Sequence, residues 1–434
     1  EPIAQQFLEE RGLDVPKGSG GFRKLAQGLQ RAELEALARA AERDQGEWGG
    51  QPRDALIKPH TASAHGTVAA PGETVMELFE AYARENPKSV KADTINQSRM
   101  AVELFAGTLP ARFPASGINK KAVRDWKALL LQYPVKAAET TEFRGLSMRD
   151  IVQANAASKA PKPAISNRTV NRYLSGLGAF CDWLNANGYL ALSPVADMFK
   201  RIDKSIRTTI PYTIDQLMVV FKSPLFTGCQ SDGKMHLPGN HLIRDHRYWL
   251  PLVMLYSGAR PAEIAQLLTD DVRELHGQWM MHVTREGSKE KSVKTRGSMR
   301  VIPIHPELLR LGFVRYCQAM RKRGERRLFP DAERNARGQL AAKFSREYGR
   351  FLTRIGLKQG RGLSLYSFRH GFIDALRRAG YLDDEFGFLV GHGKPSTTEQ
   401  YGLMPQGMMP KRVAMVESVS YPGLDLAHLC ASDA

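Results

Sequence analysis

Apolar side chains recur at helical spacing over long stretches of the chain. A modest apolar stripe runs through residues 22–44, and a capping-box pattern at Thr74 opens a second one. The longest stripe follows Ser166, which suits a helix N-cap, and ends before Gly188, which suits a helix C-terminus. Its apolar positions are Val170, Leu174, Leu177, Cys181 and Leu184. The pattern therefore predicts a chain that is mostly α-helical.

Strand-like spacing is confined to one region of the second half. Trp279, Met281 and Val283 occupy alternate positions, and a short β-prone run covers residues 301–304. Residues 285–300 contain six Lys or Arg and two Glu, which is typical of an exposed basic loop and also of a solvated hairpin tip. We therefore predict a mostly α fold with a small β-hairpin or sheet, in which an all-α domain precedes an α+β domain.

Two stretches without apolar periodicity divide the chain. Residues 58–72 are rich in small residues and proline, and residues 200–209 form a short basic connector. The predicted organisation is an N-terminal accessory region at 1–57, a linker at 58–72, a helical domain at 73–199, a connector at 200–209, an α+β domain at 210–405 and a C-terminal tail at 406–434.

Composition narrows the range of partners. The 434 residues carry a formal net charge of +17 at pH 7, which favours a polyanionic partner such as nucleic acid, although ribosomal and membrane-surface roles have the same signature. The four cysteines stand singly, without the pairing of zinc sites or disulfide frameworks, so we expect a reducing cytoplasm. No segment approaches the ~20 apolar residues that span a bilayer, so no membrane partner is expected.

The first of three motifs with candidate chemistry runs from Tyr256 to Ile264. A glycine turn leads into a helix that begins at Arg260. A cation at this end opposes the helix dipole, so a compensating anion is expected. A bound phosphate would supply it, and so would Glu263 one turn later, in which case the two residues form a plain Arg–Glu helix pair.

The other two motifs lie nearer the end of the chain. Tyr366 and Arg369 begin an amphipathic helix, and residues 389–401 contain His392, followed nine positions later by Tyr401. Taken singly, a histidine after a glycine fits a helix boundary, and a tyrosine fits a protein core. The order of the motifs, rather than any one of them, carries the functional interpretation.

Together the motifs resemble the catalytic domain of the tyrosine recombinases, also called the phage integrase family. Arg260 matches the arginine of the family's TGxR motif, residues 366–370 match xxxRH, and residues 389–401 match LGHxxxxTTxxY. The resemblance covers residues 208–405 in motif detail, and residues 73–198 are similar in layout to the family's helical core-binding domain. It implies a site-specific DNA recombinase that cleaves and rejoins duplex strands through a 3′-phosphotyrosyl intermediate. Integration or excision of a mobile genetic element, without metal or nucleotide, is the implied task.

Phosphodiester chemistry requires these same residue types. Negative charge grows on the phosphate oxygens in the transition state, and Arg260 and Arg369 can each grip those oxygens with a planar fork. His392 can donate a further hydrogen bond to phosphate. Tyr401 can attack phosphorus and store the energy of the broken bond in a phosphotyrosyl linkage, so no ATP is required.

The resemblance also implies a lysine in the β-hairpin loop that protonates the leaving 5′-oxygen. Lys294 fits this role, because it precedes Arg300-Val301-Ile302-Pro303 in the family's pattern. Lys289 and Lys291 lie nearer the tip of the loop and are predicted to contact the DNA backbone nonspecifically.

Further candidate DNA contacts lie in the helix that follows Ser166. Arg168 and Arg172 are on its polar face, where they can lie along phosphates. A solvated helix face would carry the same residues, so both interpretations stay open.

Tyr366 departs from the family pattern, which usually has histidine three residues before the second arginine. A phenol of pKa about 10 donates hydrogen bonds well but is a poor base at neutral pH, so the general base stays unassigned. We predict that Tyr366 positions other groups. Because it lies beside Arg369 it is also a rival nucleophile, but the spacing after His392 favours Tyr401.

The resemblance further implies a homo-tetramer on two specific recombination sites in duplex DNA. Accessory DNA-bending proteins are candidate partners, residues 1–57 are a candidate second DNA-binding element, and the expected setting is the bacterial cytoplasm, at the nucleoid. In related recombinases the C-terminal tail docks on another protomer, but the apolar tail of this chain can also cover its own domain.

Three other functions would account for part of the sequence. A type IB topoisomerase-like enzyme would use the same chemistry without partner sites. A catalytically silent DNA-binding protein of the same fold has no need of the nucleophile, and a structural RNA-binding protein does not account for the ordered motifs.

Overall fold

The computed structural model divides into two compact units, Glu1–Ile202 and Asp203–Ala434. The residues that the structure describes are 2–10, 15–44, 54, 70, 72–203, 209–288, 291, 293, 298–335, 338–360, 362–391 and 409–430. The division lies inside the predicted connector at 200–209. The finer division of the chain into six segments stays a prediction.

The first unit is helical where the structure describes it. Its α-helices are α1 (Pro2–Glu10), α2 (Gly20–Asp44), α3 (Val75–Glu85), α4 (Ala92–Ala106), α5 (Lys120–Leu130), α6 (Met148–Ala157) and α7 (Asn167–Ala186). The predicted capping box opens α3, where Thr74 and Glu77 each accept a hydrogen bond from the other's backbone N–H.

Local sequence signals set both ends of α7. Ser166 accepts a hydrogen bond from the backbone N–H of Thr169 (3.3 Å), and Gly188 follows the helix with a φ of +79°. The predicted apolar stripe is fully buried, at Val170, Leu174, Leu177, Cys181 and Leu184. The structure therefore confirms this helix and both of its boundaries.

The second unit combines helices with a small sheet. Its elements are α8 (Ile214–Phe221), α9 (Pro224–Thr227), α10 (His246–Ser257), α11 (Pro261–Ala265), β1 (Val272–Leu275), β2 (Gln278–Val283), β3 (Arg300–Pro303), α12 (Pro306–Arg310), α13 (Phe313–Lys322), α14 (Ala342–Arg354), α15 (Tyr366–Arg378), α16 (Asp383–Val390) and α17 (Met409–Glu417). The strands are antiparallel in the order β1-β2-β3, and Met281 lies opposite both Val272 and Ile302. The predicted fold class, mostly α with a small sheet, is confirmed.

Helix α10 lies at the centre of the second unit, with every residue from Tyr248 to Ser257 buried. The C-terminal segment contacts it, because the Tyr421 hydroxyl donates to the Leu255 carbonyl (2.8 Å). The C-terminal segment therefore contacts its own unit, and docking of the tail on another protomer stays a prediction. In the described part of the chain, no helix has the combination of length and apolar character that crossing a membrane requires.

Candidate active site

Arg260 is the N-cap residue of α11 and follows a glycine turn. Gly258 in that turn has a φ of +62°, and Phe372 packs so closely against it that a side chain there would clash. The Arg260 guanidinium donates from Nη1 to Glu263 Oε1 (2.7 Å) and from Nη2 to the Gly391 carbonyl (3.0 Å). Glu263 therefore supplies the anion predicted for this helix start.

Arg369 lies on α15, with only 5% of its surface exposed. Its guanidinium donates to the Gly258 carbonyl and, over 2.6 Å, to the Val390 carbonyl. Burial, and then the charges of Arg260 and Arg300, lower the pKa of Arg369 to about 9, so the group stays charged at neutral pH. The two predicted phosphate-binding arginines thus meet at the C-terminus of α16, although they come from distant motifs.

Glu263 and Arg300 complete this cluster, and the sequence had assigned neither of them a catalytic or binding role. Arg300, on β3, donates from Nη2 to Glu263 Oε2 (2.8 Å) and from Nε to the Leu389 carbonyl (2.6 Å). Burial raises the pKa of the Glu263 carboxyl, but the charge and hydrogen bond of Arg300, with those of Arg260, outweigh it and hold the pKa below its ordinary value. Arg260 and Arg300 thus share one ionised carboxylate, Arg369 adds a third cation nearby, and the positive surplus suits an anionic ligand.

Tyr366 is the first residue of α15, one helical turn before Arg369. It is 45% exposed, and its phenol lies near enough to Arg369 to influence the pKa of the guanidinium. The structure therefore places an accessible phenol beside a buried cation. This placement fits the predicted positioning role.

Four predicted site residues lie outside the described part of the chain: Lys289, Lys294, His392 and Tyr401. Their roles stay predictions. The described residue next to His392 is Gly391, which ends α16 with a φ of +68°. The arginine cluster therefore lies at the backbone directly before His392.

Lys291 requires a correction, because it does not lie on an exposed loop. Its side chain is 3% exposed, and its ammonium nitrogen donates to both carboxylate oxygens of Asp271, at 2.8 Å and 2.7 Å. This burial and pairing do not fit a contact between Lys291 and a phosphate of the DNA backbone. Lys291 instead anchors the basic loop to the segment before β1.

Arg168 and Arg172 are both exposed near the start of α7, in the first unit. The Arg172 guanidinium carbon lies 5.4 Å from the centre of the Tyr173 ring. Their exposure fits a phosphate contact and also a solvated helix face, so their contact with DNA stays a prediction.

The chain has relatives among known recombinases, although no protein-family model matches it. Tyrosine recombinase XerC of Neisseria meningitidis serogroup C is 27% identical over 280 residues, and that of Neisseria gonorrhoeae is 26% identical over 280 residues. Each alignment covers 63% of this chain and 80% of the relative.

Two solved structures illustrate the structural likeness. A Tn1549 transposon integrase in complex with transposon right end DNA is 15% identical, with a TM-score of 0.48 and coverage of 78% of this chain and 97% of that one. A lambda integrase tetramer bound to a Holliday junction is 14% identical, with a TM-score of 0.47 and coverage of 83% and 88%.

The family assignment rests on the ordered motifs together with the two sequence relatives. The motifs alone predict the tyrosine recombinases, and both relatives carry that name. The predicted resemblance to the tyrosine recombinases is thus confirmed by two relatives of that name.

Proposed function

We propose that this protein is a site-specific recombinase that breaks and rejoins duplex DNA through a covalent bond between Tyr401 and a 3′-phosphate. The observation that carries the proposal is the meeting of Arg260 and Arg369 at one helix terminus, beside the backbone that leads to His392. A protein that only binds DNA has no need of such a pair next to a nucleophile motif. The similarity to two proteins named tyrosine recombinase supports the same activity.

Phosphate binding is the first task of the site. A guanidinium group has five N–H donors, and the two described bonds of Arg260 leave donors of the same fork for a phosphate oxygen. Glu263 keeps that fork in place through its carboxylate. Arg369, held from two sides by backbone carbonyls, supplies the second cation, and Tyr366 and His392 add hydrogen bonds.

Strand cleavage then exchanges one phosphodiester for another. The Tyr401 oxygen forms a bond to phosphorus as its hydroxyl proton passes to a general base, to which no residue is assigned, and the bond from phosphorus to the 5′-oxygen breaks. Lys294 donates a proton to that oxygen. Because the phosphotyrosyl bond retains the energy of the original linkage, a DNA hydroxyl can reverse the step without nucleotide hydrolysis.

The nucleophile assignment can be tested with labelled duplex DNA taken from the junctions that flank the protein's own gene. We expect wild-type protein to form a covalent adduct that survives denaturation, and peptide mapping to place it on Tyr401. Tyr401→Phe should bind the same DNA with unchanged affinity and form no adduct. An adduct on Tyr366 would overturn the assignment.

Lys294 is tested by replacing the bridging 5′-oxygen with sulfur, which leaves without protonation. Lys294→Ala should cleave ordinary DNA ~10²-fold or more slowly and regain most of the rate on the sulfur substrate. If sulfur brings no relief, another group is the acid.

We further propose that the protein acts in the bacterial cytoplasm as a homo-tetramer on two recombination sites. The protein should not relax supercoiled plasmid that lacks a site. Plasmid with two sites should recombine, and chemical cross-linking of the protein on that DNA should yield tetramers. Relaxation of the site-free plasmid would favour the topoisomerase-like alternative. Addition of purified DNA-bending proteins would show whether accessory partners change the yield.

A further inference from the structure

Three successive carbonyls at the C-terminus of α16 each accept a hydrogen bond from a different arginine. Arg300 donates to Leu389 (2.6 Å), Arg369 to Val390 (2.6 Å) and Arg260 to Gly391 (3.0 Å). The last carbonyls of a helix have no partner within the helix, and they carry the negative end of its dipole. The three guanidinium groups therefore fix the backbone that immediately precedes His392.

Arg300 differs from Arg260, whose side chain is 19% exposed, because its guanidinium is closed off from solvent. Its side chain is 3% exposed. Besides its bonds to Leu389 and Glu263, its Nη1 donates to the Ser298 carbonyl (2.8 Å), so that all three nitrogens have protein partners. Arg300 is thus placed to hold other groups and not to contact a DNA phosphate.

Glu263 links Arg300 to Arg260. One carboxylate oxygen accepts from Arg300 Nη2 (2.8 Å), and the other accepts from Arg260 Nη1 (2.7 Å). The two guanidinium groups pack tightly against Gly391, because a methyl group on this residue would lie 3.1 Å from Arg300 Nη1 and 3.3 Å from Arg260 Nη1. Movement of the Arg300 fork would therefore be passed to Arg260 through Glu263.

We infer that Arg300 is a positioning residue for strand cleavage, which sets the orientation of the Arg260 fork through Glu263 and holds the end of α16 ahead of His392. The inference rests on the proposed recombinase function. Lysine cannot replace Arg300, because a single ammonium group lacks the planar fork that reaches Leu389, Ser298 and Glu263 at once.

The test compares Arg300→Met and Arg300→Lys with wild type in single-turnover formation of the covalent adduct. We expect both variants to bind the duplex with nearly wild-type affinity and to cleave it ~10²-fold more slowly, because small displacements of catalytic groups have effects of this size. A purely structural defect would instead lower the amount of active protein and leave the rate of the active fraction unchanged.

Coupling to Arg260 is measured with a double-mutant cycle. Arg260→Lys keeps the charge but has no fork to orient, so adding Arg300→Met should slow cleavage much less than it does in the wild-type background. A loss in the double variant equal to the product of the two single losses would overturn the inference. Wild-type cleavage by either Arg300 variant would also overturn it.

Arg321, whose side chain is 44% exposed, provides the control. It too donates to two backbone carbonyls of the second unit, Thr269 (2.6 Å) and Val272 (3.1 Å), and it has no described contact with Glu263. Arg321→Met should cleave at the wild-type rate. The double variant with Arg260→Lys should therefore cleave at the same rate as Arg260→Lys alone. If Arg321→Met slows cleavage as much as Arg300→Met, general destabilisation explains both and the inference fails.

If Arg300→Met does not fold, Arg300→Lys decides by the same criteria. If wild-type protein forms no adduct on any flanking DNA, the proposed function is refuted, and the inference is judged from the crystal structure of Arg300→Lys. An Arg260 fork that is unmoved there would overturn it, and a displaced fork would support it.

Discussion

The guanidinium group of Arg369 donates to the carbonyl of Val390 over 2.6 Å, which ties the start of the second catalytic motif to the third. The same guanidinium also donates to the carbonyl of Gly258 in the first motif. One buried side chain thus connects the three motifs whose order predicted the family. The hydrogen bond from Arg369 to Val390 therefore sets the distance between α15 and the backbone that precedes His392.

Replacing Arg369 with lysine separates its charge from its fork. Arg369→Lys keeps one positive charge, but an ammonium group cannot span two carbonyls and a phosphate oxygen. We expect adduct formation at saturating DNA to fall ~10²- to 10³-fold while circular dichroism shows a folded protein. Arg378→Lys, at the exposed end of the same helix, is the control and should cleave normally. Equal rates for the two variants would show that only the charge matters.

Tyr366 allows a test of the position where this chain leaves the family pattern. The residue is 45% exposed and lies near enough to Arg369 to influence its pKa, so we expect its hydroxyl to hydrogen-bond to a bound phosphate. Tyr366→Phe should lower the cleavage rate by ~10- to 100-fold, in line with loss of one charge-assisted hydrogen bond. Tyr366→His should stay active, because imidazole can donate from the same place. Full activity of Tyr366→Phe would make Tyr366 a packing residue.

Local sequence signals were enough to predict some elements but not others. Helix α7 was predictable because its cap, stripe and terminal glycine are all encoded within residues 166–188. Strand β1 was not, since only Val272 of its four residues is fully buried and no alternation is visible. Its backbone is held by pairing with β2, and a pattern of side chains does not reveal that pairing.

For the charged residues of the candidate site, too, only those that belong to a local motif are predictable from the sequence. The motifs predicted Arg260 and Arg369, since phosphate chemistry requires those side chains. Arg300 was missed because its partners Glu263 and Leu389 lie 37 and 89 residues away. The burial of Lys291 is unpredictable for the same reason, because a count of charges along a loop does not reveal its pairing with a carboxylate 20 residues upstream.

The buried pair of Lys291 and Asp271 is expected to contribute to stability and not to DNA binding. Lys291→Met leaves the Asp271 carboxylate buried without its cation, so the free energy of unfolding should fall by about 3–5 kcal/mol, and Asp271→Leu in the same chain should restore much of the loss. Urea unfolding measures both changes. The exposed Lys322→Met is the control and should leave stability nearly unchanged.

DNA binding by the Lys291 variants provides the second readout. The slope of log binding constant against log salt should match wild type, because removal of a phosphate contact would reduce that slope by about one. A reduced slope in a folded Lys291→Met protein would show that Lys291 contacts a DNA phosphate.

His282, on β2, has both ring nitrogens 3.2 Å from guanidinium nitrogens of Arg273. Burial, and then the charges of Arg273 and Lys291, lower the pKa of His282 to about 4 from an ordinary value of 6.5. As the pH falls below 6.5 the unfolded chain therefore takes up a proton that the folded protein takes up only near pH 4. Acidification therefore destabilises the folded protein through His282. The loss of stability begins below pH 6.5 and is complete below about pH 4.

His282→Gln should remove this part of the acid sensitivity. Between pH 7 and pH 5.5 the variant should lose less free energy of unfolding than wild type, by about 1 kcal/mol, a value reduced for screening because the side chain is partly exposed. Urea unfolding at the two pH values measures the difference. His276→Gln, at an exposed position in the turn before β2, should keep the wild-type pH dependence. If His282→Gln and wild type lose the same stability, His282 has the same proton affinity in the folded and unfolded chain, and the Arg273 contact does not hold the ring neutral.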